Sequence, residues 1–294
     1  MHKSRIAAGA AAVGIGIAGA MAAVSPAFAG PVSVNGITTH IVVAHATAPA
    51  GDTGHAEAKC PAAQLLVGGG YVVNSTATDW QVYSDSPLNG TTWLVEPVNF
   101  SAQPLHFSAY AICAKSVPGK KGISGYTTQV VDATVNVPAN QTGEADASCP
   151  AGDLLTGGGY EVDNVSANWS IYLNAPTSSG TWTAEIDNEV PLTTTYDSFA
   201  VCLANKNSNP ITGLTTSTVD VAATVPANSV QTADASCGSS ALLVGGGHVM
   251  DSIGQDWLIA ASGPAGATDW QVKAADLDSV SREFHSIAVC LAKA

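Results

Sequence analysis

Charged residues are scarce in this sequence, and positive ones are the scarcest. Aspartate, glutamate, lysine and arginine together make up 11% of the 294 residues, and only 10 basic residues stand against 23 acidic ones. The formal net charge of −13 opposes binding to the phosphate backbone of a nucleic acid and to anionic membrane surfaces. We therefore expect no nucleic acid among the partners.

The sequence after residue 29 also lacks the patterns of several other protein classes. It has no sustained helical periodicity, no further run long and apolar enough to span a membrane, and no CxxC, HExxH or GxSxG motif. Thr, Ser, Asn, Ala and Gly are abundant instead, which favours β-strands and turns. We expect an all-β protein with no membrane anchor, no cofactor and no metal.

The one long apolar run lies at the N-terminus. Lys3 and Arg5 precede an uncharged stretch from Ile6 to Val24, and Ala27-Phe28-Ala29 gives the small-x-small pattern of a cleavage site. A membrane anchor is the alternative, but the run is poor in Leu and Phe. We predict a signal peptide cleaved after Ala29 and a secreted, extracellular mature chain with a net charge of −15, because cleavage removes two basic residues.

The rest of the chain repeats one pattern three times. Cys60, Cys149 and Cys237 are 89 and 88 residues apart, and a triple glycine, a tryptophan, a proline, a second tryptophan and a second cysteine follow each at fixed offsets. We therefore divide the chain into a signal peptide, 1–29, and three β modules, 30–118, 119–207 and 208–294. The first tryptophans are Trp80, Trp169 and Trp257, and the second are Trp93, Trp182 and Trp270.

Six cysteines allow 15 pairings, and the repeat selects one of them. A duplicated module that folds alone needs an internal partner, so we predict three disulfides: Cys60–Cys113, Cys149–Cys202 and Cys237–Cys290. Export supplies the oxidising environment. In the chain-entropy model each bridge stabilises its module by about 4 kcal/mol. Thiolate ligation of a metal is the alternative, and the lack of a CxxC pair or matching histidines argues against it.

Apolar and polar residues alternate along several segments, which is typical of half-buried strands. Val131, Ala133 and Val135 alternate with polar residues, whereas the closing segment Phe199-Ala200-Val201-Cys202 is continuously apolar and predicts a central strand. We expect three tandem antiparallel β-sandwich or jelly-roll-like modules of about six to eight strands, each with one disulfide. A linear string and a compact pseudo-threefold cluster of modules both remain open.

The recurring residues allow functional and structural interpretations. The paired tryptophans could stack on sugar rings at three weak sites, or they could form the core of each module. The triple glycines could cradle a phosphate, but a strand rather than a helix follows each, which favours a β-bulge or a close backbone approach under a tryptophan. We favour the structural alternative for both features.

Two further candidate sites are weaker. The third module offers His248, Asp251 and His285 with nearby serines, but the second module has no histidine, so a catalytic site would belong to one module only. Acidic residues near the first cysteines could join Asn140 or Asn228 in a calcium site, although nothing matches a calcium loop. Solvated charge at strand edges is the other reading of these residues: Glu57, Asp146 and Asp234.

The opening of the second module, from Cys149-Pro150-Ala151-Gly152 to the triple glycine at 157–159, and its ending around Val201-Cys202 carry a resemblance. They resemble a β-rich module with a CPxGxxxxGGG opening and an AVCA-like ending, which occurs in secreted actinomycete proteins and at the ends of phage-fibre or collagen-like chains. The resemblance covers residues from about 38 to 294. The third copy departs from it at Gly238 and His248. It implies a non-enzymatic surface or interaction role and names no ligand.

Triplication at rigid spacing is typical of multivalent display. We therefore expect a secreted, non-catalytic interaction or structural protein that presents three related surfaces to an extracellular protein, a glycan or a cell envelope, as in an extracellular scaffold or adaptor. A secreted hydrolase with its site in one module is one alternative. An extracellular protease inhibitor is another, although no cysteine-braced exposed loop is evident in the sequence.

Overall fold

A computed structural model of the chain describes residues 32–163, 168–252 and 257–294. The predicted signal peptide, residues 1–29, lies outside the described residues. Within those ranges the chain forms eighteen β-strands, six in each repeat, and no described segment is a helix able to cross a membrane. The all-β fold class predicted from the sequence is confirmed.

The strands recur in the same order in each repeat. The first repeat holds β1 (Ile37–Ala48), β2 (Ala56–Lys59), β3 (Leu65–Val73), β4 (Trp80–Asn89), β5 (Thr92–Asn99) and β6 (Leu105–Ser116). The second holds β7 (Tyr126–Val137), β8 (Gln141–Ser148), β9 (Leu154–Val162), β10 (Trp169–Pro176), β11 (Thr181–Asn188) and β12 (Thr194–Asn205). The third holds β13 (Thr215–Val225), β14 (Ser229–Ser236), β15 (Leu242–Met250), β16 (Trp257–Pro264), β17 (Asp269–Asp276) and β18 (Arg282–Ala292).

The predicted alternation and continuous burial both appear at the expected strands. On β7 the even-numbered side chains from Asp132 to Asn136 are exposed, while the intervening apolar ones are half-buried. On β12 the run Ala200–Ala204 is buried throughout. A strand in the middle of its sheet, covered on both faces, needs apolar side chains at successive positions, and the closing segment of each repeat has them.

Each repeat is a sandwich of two three-stranded antiparallel sheets closed by one disulfide. In the first repeat β6 lies between β1 and β3, and β5 lies between β2 and β4. The predicted bridges are all present: Cys60–Cys113, Cys149–Cys202 and Cys237–Cys290, with Cα–Cα distances of 5.5, 5.7 and 5.4 Å. In the first repeat the bridge joins β6 of one sheet to the residue that follows β2 of the other, and so ties the two layers together.

Every sheet continues from one repeat into another. Strand β4 pairs with β9, β10 pairs with β15, and β16 pairs with β3, so three six-stranded sheets run between repeats one and two, two and three, and three and one. Each of these seams contains two residue pairs, such as Ala261–Val72 and Ser262–Tyr71. The seam between the third and first repeats closes a ring, so the modules form a pseudo-threefold cluster rather than a linear string.

The triple glycines bring the three repeats together at the centre of this ring. A side chain on Gly68 would collide with the backbone of Val244 and Gly245, and the other two first glycines meet the same obstacle from their neighbours. The middle glycine, Gly69, lies against the ring of Trp93, and the third, Gly70, lies against the carbonyl of Ser262 across a seam. The register also shifts between Leu66 and Gly68, as in a β-bulge. The triple glycine therefore serves backbone approach and packing.

Candidate functional site

The six tryptophans are buried. The first of each repeat is 2–3% exposed and the second is at most 1% exposed: Trp80, Trp169, Trp257, and then Trp93, Trp182, Trp270. A ring that stacks on a sugar must offer one face to solvent, and these rings offer none. This burial contradicts the stacking alternative for the six tryptophans and agrees with the favoured interpretation that they form the core.

A polar residue beneath the second tryptophan differs in each repeat. Asp85 accepts a hydrogen bond from Trp93 Nε1 at 2.7 Å, and Asn174 accepts the same bond from Trp182 at the same distance. In the third repeat Ser262 is too short, and both its hydroxyl and the Nε1 of its tryptophan are buried without a partner. Burial raises the pKa of Asp85 to about 8, although the bond from the indole favours the charged form.

The first tryptophans surround a small cavity of about 60 Å³ near the centre of the ring. The residue that follows each triple glycine also lines this cavity. In the first two repeats it is a tyrosine bonded to a neighbouring repeat: Tyr71 donates to the carbonyl of Ile259 at 3.0 Å, and Tyr160 donates to the carbonyl of Val82 at 2.9 Å. His248 stands at the third position. It is shorter than tyrosine, is fully buried, and has a buried Nδ1 without a partner. Desolvation lowers its pKa to about 3, so the imidazole stays neutral.

A second, larger cavity of about 250 Å³ is a groove at the boundary between the second and third repeats. On one side it is lined by the turn between β10 and β11, Thr177–Ser179, and on the other by Thr216–Thr218 of β13. Leu155, Pro176 and Val289 supply its apolar lining. We call this the hydroxyl groove, because six serine and threonine side chains line it.

The hydroxyls of one wall belong to the second repeat alone. At the same offsets from the first cysteine, Thr177–Ser179 is replaced by Leu88–Gly90 in the first repeat and by Ala265–Ala267 in the third. At the boundary of the first and second repeats, Thr128 Oγ1 donates to the carbonyl of Leu66 at 2.6 Å, so the same hydroxyl is occupied within the protein. The hydroxyl-lined groove is therefore specific to the boundary between the second and third repeats.

The candidate catalytic residues of the third repeat do not form a triad. His248 is buried at the central cavity, whereas His285 lies at the surface with Nδ1 2.8 Å from Asp220. Asp251 accepts from the amide of Glu283 at 3.0 Å, and Ser286, which pairs with His248 across the strands, donates instead to the carbonyl of Trp270. These partners leave no serine activated by either histidine in this region of the described chain.

A histidine–serine contact does occur in the first repeat, where His45 Nδ1 lies 2.8 Å from Ser108 Oγ. Neither residue lines the two cavities described above. A serine nucleophile also needs donors arranged around a developing oxyanion and a place for substrate. The pair is thus a cross-strand hydrogen bond between neighbours on β1 and β6.

The acidic residues near the first cysteines lie on the short outer strands, in exposed positions. Glu57 bonds to His55 at 3.0 Å, Asp146 accepts from Thr183 at 2.5 Å, and Asp234 accepts from Gln271 at 2.9 Å. Over the described ranges no group of three or more His, Cys, Asp or Glu side chains is arranged to hold a metal ion. Solvated charge at a strand edge describes these residues.

The sequence interpretation missed the hydroxyl groove and the buried positions of Asp85 and Tyr71, and it considered His248 only as a catalytic candidate. The serine and threonine runs at 177–179 and 215–218 are visible in the sequence, but only the closure of the ring places them side by side. The buried positions were accessible in principle, because Asp85 and His248 occupy positions at which the aligned copies carry different residues.

No protein-family model matches this chain, and comparison with curated proteins gives no match. The geometry described above therefore carries the functional argument alone.

Proposed function

We propose that the protein is a secreted, non-catalytic interaction or structural protein whose binding surface is the hydroxyl groove, with neutral glycan of an extracellular matrix or cell envelope as its ligand. The signal peptide is removed after Ala29, and the three disulfides fit an oxidising extracellular environment. The other repeat boundaries offer related but different surfaces to further partners. A catalytic role is not part of the proposal.

The hydroxyl groove is the observation that carries this proposal. Two of the six hydroxyls already have partners inside the protein, since Thr177 Oγ1 lies 2.7 Å from Thr183 Oγ1 and Ser178 Oγ accepts from the amide of Thr181 at 3.0 Å. Serine and threonine hydroxyls both donate and accept, so the remaining ones match the donors and acceptors of a polyhydroxyl ligand. The apolar lining of Leu155, Pro176 and Val289 can contact the C–H faces of such a ligand. A negative net charge disfavours anionic polymers and leaves neutral ones.

A rigid frame supports this role. The groove walls belong to two repeats that share one six-stranded sheet, and each repeat is closed by a disulfide. The wall formed by Thr216–Thr218 is held on β13, and a wall held on a strand loses little freedom when a ligand binds, which favours affinity. Weak single sites gain strength when several copies face a repetitive polymer.

Binding of the mature protein to an array of neutral and anionic glycans tests the proposal. Ser217→Trp on β13 fills the groove and is expected to weaken binding at least tenfold, because a large side chain displaces the ligand. Gln129→Trp is the matched control, since Gln129 has the same position on β7 at another boundary and is also exposed. Equal binding by both variants, or no glycan bound by the wild-type protein, would refute the proposal.

A further inference from the structure

Each of the three sheets ends in two outer strands, and these six edges differ in charge. The outer strands are β1 and β14, β13 and β8, and β2 and β7. An outer strand presents unpaired N–H and C=O groups and can accept another strand, and proteins commonly block such edges with charged side chains. The edges of this protein can therefore be compared one by one.

Five of the six outer strands carry a carboxylate, and β1 carries none. The five are protected by Glu57 on β2, Asp132 on β7, Glu144 and Asp146 on β8, Asp220 on β13 and Asp234 on β14. Strand β1 reads ITTHIVVAHATA, with only histidines as ionisable residues. It is the single outer strand in the described part of the chain that lacks a protecting charge.

The difference is sharpest at one position. Asp132 and Asp220 both stand seventeen residues before the first cysteine of their repeats, and both are exposed on long outer strands. In β1 that position is Val43, an apolar side chain that is 40% exposed. The neighbouring strands follow the same trend, because β12 carries Asp197 and β18 carries Glu283, whereas β6 has no carboxylate.

We propose that β1 is a dimerisation edge, at which it pairs antiparallel with β1 of a second copy of this chain. Two six-stranded sheets then become one twelve-stranded sheet across a twofold axis. Antiparallel pairing of a strand with itself is self-complementary, and Val43 lies near the middle of the twelve residues, so the two valines lie close together at the axis.

Local charge identifies a second copy as the occupant. The chain as a whole is acidic and would attract a basic segment of another protein to a carboxylate-bearing edge, of which it has five. The β1 edge offers such a segment no counter-charge. It offers backbone hydrogen bonds and the apolar run Ile41–Ala44, which an identical strand matches without bringing in any carboxylate.

Sedimentation equilibrium of the mature protein tests the dimer. Over about 1 to 100 µM protein we expect a monomer–dimer equilibrium, which strengthens with added salt because salt screens the repulsion between two acidic chains. Val43→Asp places two carboxylates together at the axis and is expected to raise the dissociation constant by at least tenfold. The variant should fold, since aspartate occupies the same position in the other two repeats.

Two further variants distinguish an edge contact from other causes. Val43→Thr keeps an uncharged β-branched side chain and is expected to retain the dimer, whereas Asp132→Val removes the charge from a second edge and is expected to yield larger assemblies. Amide hydrogen exchange should slow on β1 as the dimer forms. A wild-type protein that stays monomeric over this range, a dimer unaffected by Val43→Asp, or a dimer without added protection on β1 would each overturn the proposal.

Discussion

At several equivalent positions the three repeats carry different residues, so each repeat can be compared with the other two to see what a side chain contributes. Beneath the second tryptophan, the aspartate, asparagine and serine fill the same buried position with one acceptor that can ionise, one that cannot, and one that does not reach. At the central cavity, Tyr71, Tyr160 and His248 fill one equivalent position. The two tyrosines donate to carbonyls of a neighbouring repeat, whereas Nδ1 of the histidine has no partner. The third repeat therefore tolerates buried polar atoms without a hydrogen-bond partner at positions where the other two repeats have one.

The carboxyl of Asp85 makes the stability of the fold depend on pH. Its pKa is raised from 3.8 to about 8, so the folded chain keeps it protonated while the unfolded chain ionises it above about pH 4. The stabilisation is fully present below that pH and is lost as the pH rises toward 8, by at most about 1.4 kcal/mol per pH unit. Neutral pH is therefore unfavourable at this position.

Asp85→Asn is expected to stabilise the protein at pH 7.5 by about 1–3 kcal/mol, because asparagine accepts the indole hydrogen bond without a charge. Denaturant unfolding at pH 4.5 and pH 7.5 measures the effect, which should be small at the lower pH. Asn174→Asp is the mirror control and should destabilise at pH 7.5 only. An Asp85→Asn protein with the same free energy of unfolding as wild type at pH 7.5 would contradict the burial of an uncharged carboxyl.

At the scale of strands and turns, one asparagine fastens two connections in each of the first two repeats. Asn99 Nδ2 donates to the carbonyls of Pro49 and Gln103, which lie in the β1–β2 and β5–β6 connections, and Asn188 does the same in the second repeat. In the third repeat Asp276 stands at this position, and its Oδ2 is buried without a partner. Aspartate lacks the side-chain N–H groups with which asparagine donates to both carbonyls.

Asp276→Asn should therefore restore the missing clamp and stabilise the protein by about 1–2 kcal/mol. Thermal or denaturant unfolding measures the gain, and hydrogen exchange should slow in the β17–β18 connection, where Val280 is exposed. Asn188→Asp is the matched control and should lose a similar amount. A neutral Asp276→Asn beside a destabilising Asn188→Asp would contradict the prediction. It would mean that the two connections in the third repeat are not placed to accept hydrogen bonds from an asparagine.

The strands themselves could be predicted from the sequence, and their partners beyond the repeat could not. Alternation on β7, continuous apolarity on β12 and the fixed cysteine offsets define the elements and the disulfides, because these are local or repeated signals. The seams between repeats consist of two residue pairs each, such as Ser84–Glu161 and Asp85–Tyr160 on β4 and β9. Nothing in the composition of those residues marks them as paired, so the ring and its hydroxyl groove follow only from the structure.

For the whole molecule, the distinguishing feature is that a strand of the third repeat pairs with a strand of the first and so closes the ring. The seam of β16 with β3, and a hydrogen bond from Asn35 Nδ2 to the carbonyl of Gly213 at 2.7 Å, join the first repeat to the third. Closure buries the glycine strands at the centre and creates three boundaries of related shape. It also leaves each repeat dependent on two neighbours for the completion of its sheets.

Small-angle X-ray scattering of the mature chain, at a concentration where light scattering shows a monomer, tests this closure most directly. A closed ring of about 265 residues is expected to have a radius of gyration of about 18 Å, whereas three touching modules in a line give about 26 Å. A value near 18 Å with a compact pair-distance distribution is the predicted result. A value near 26 Å, with the extended tail of a rod, would contradict the ring and with it the groove between the second and third repeats.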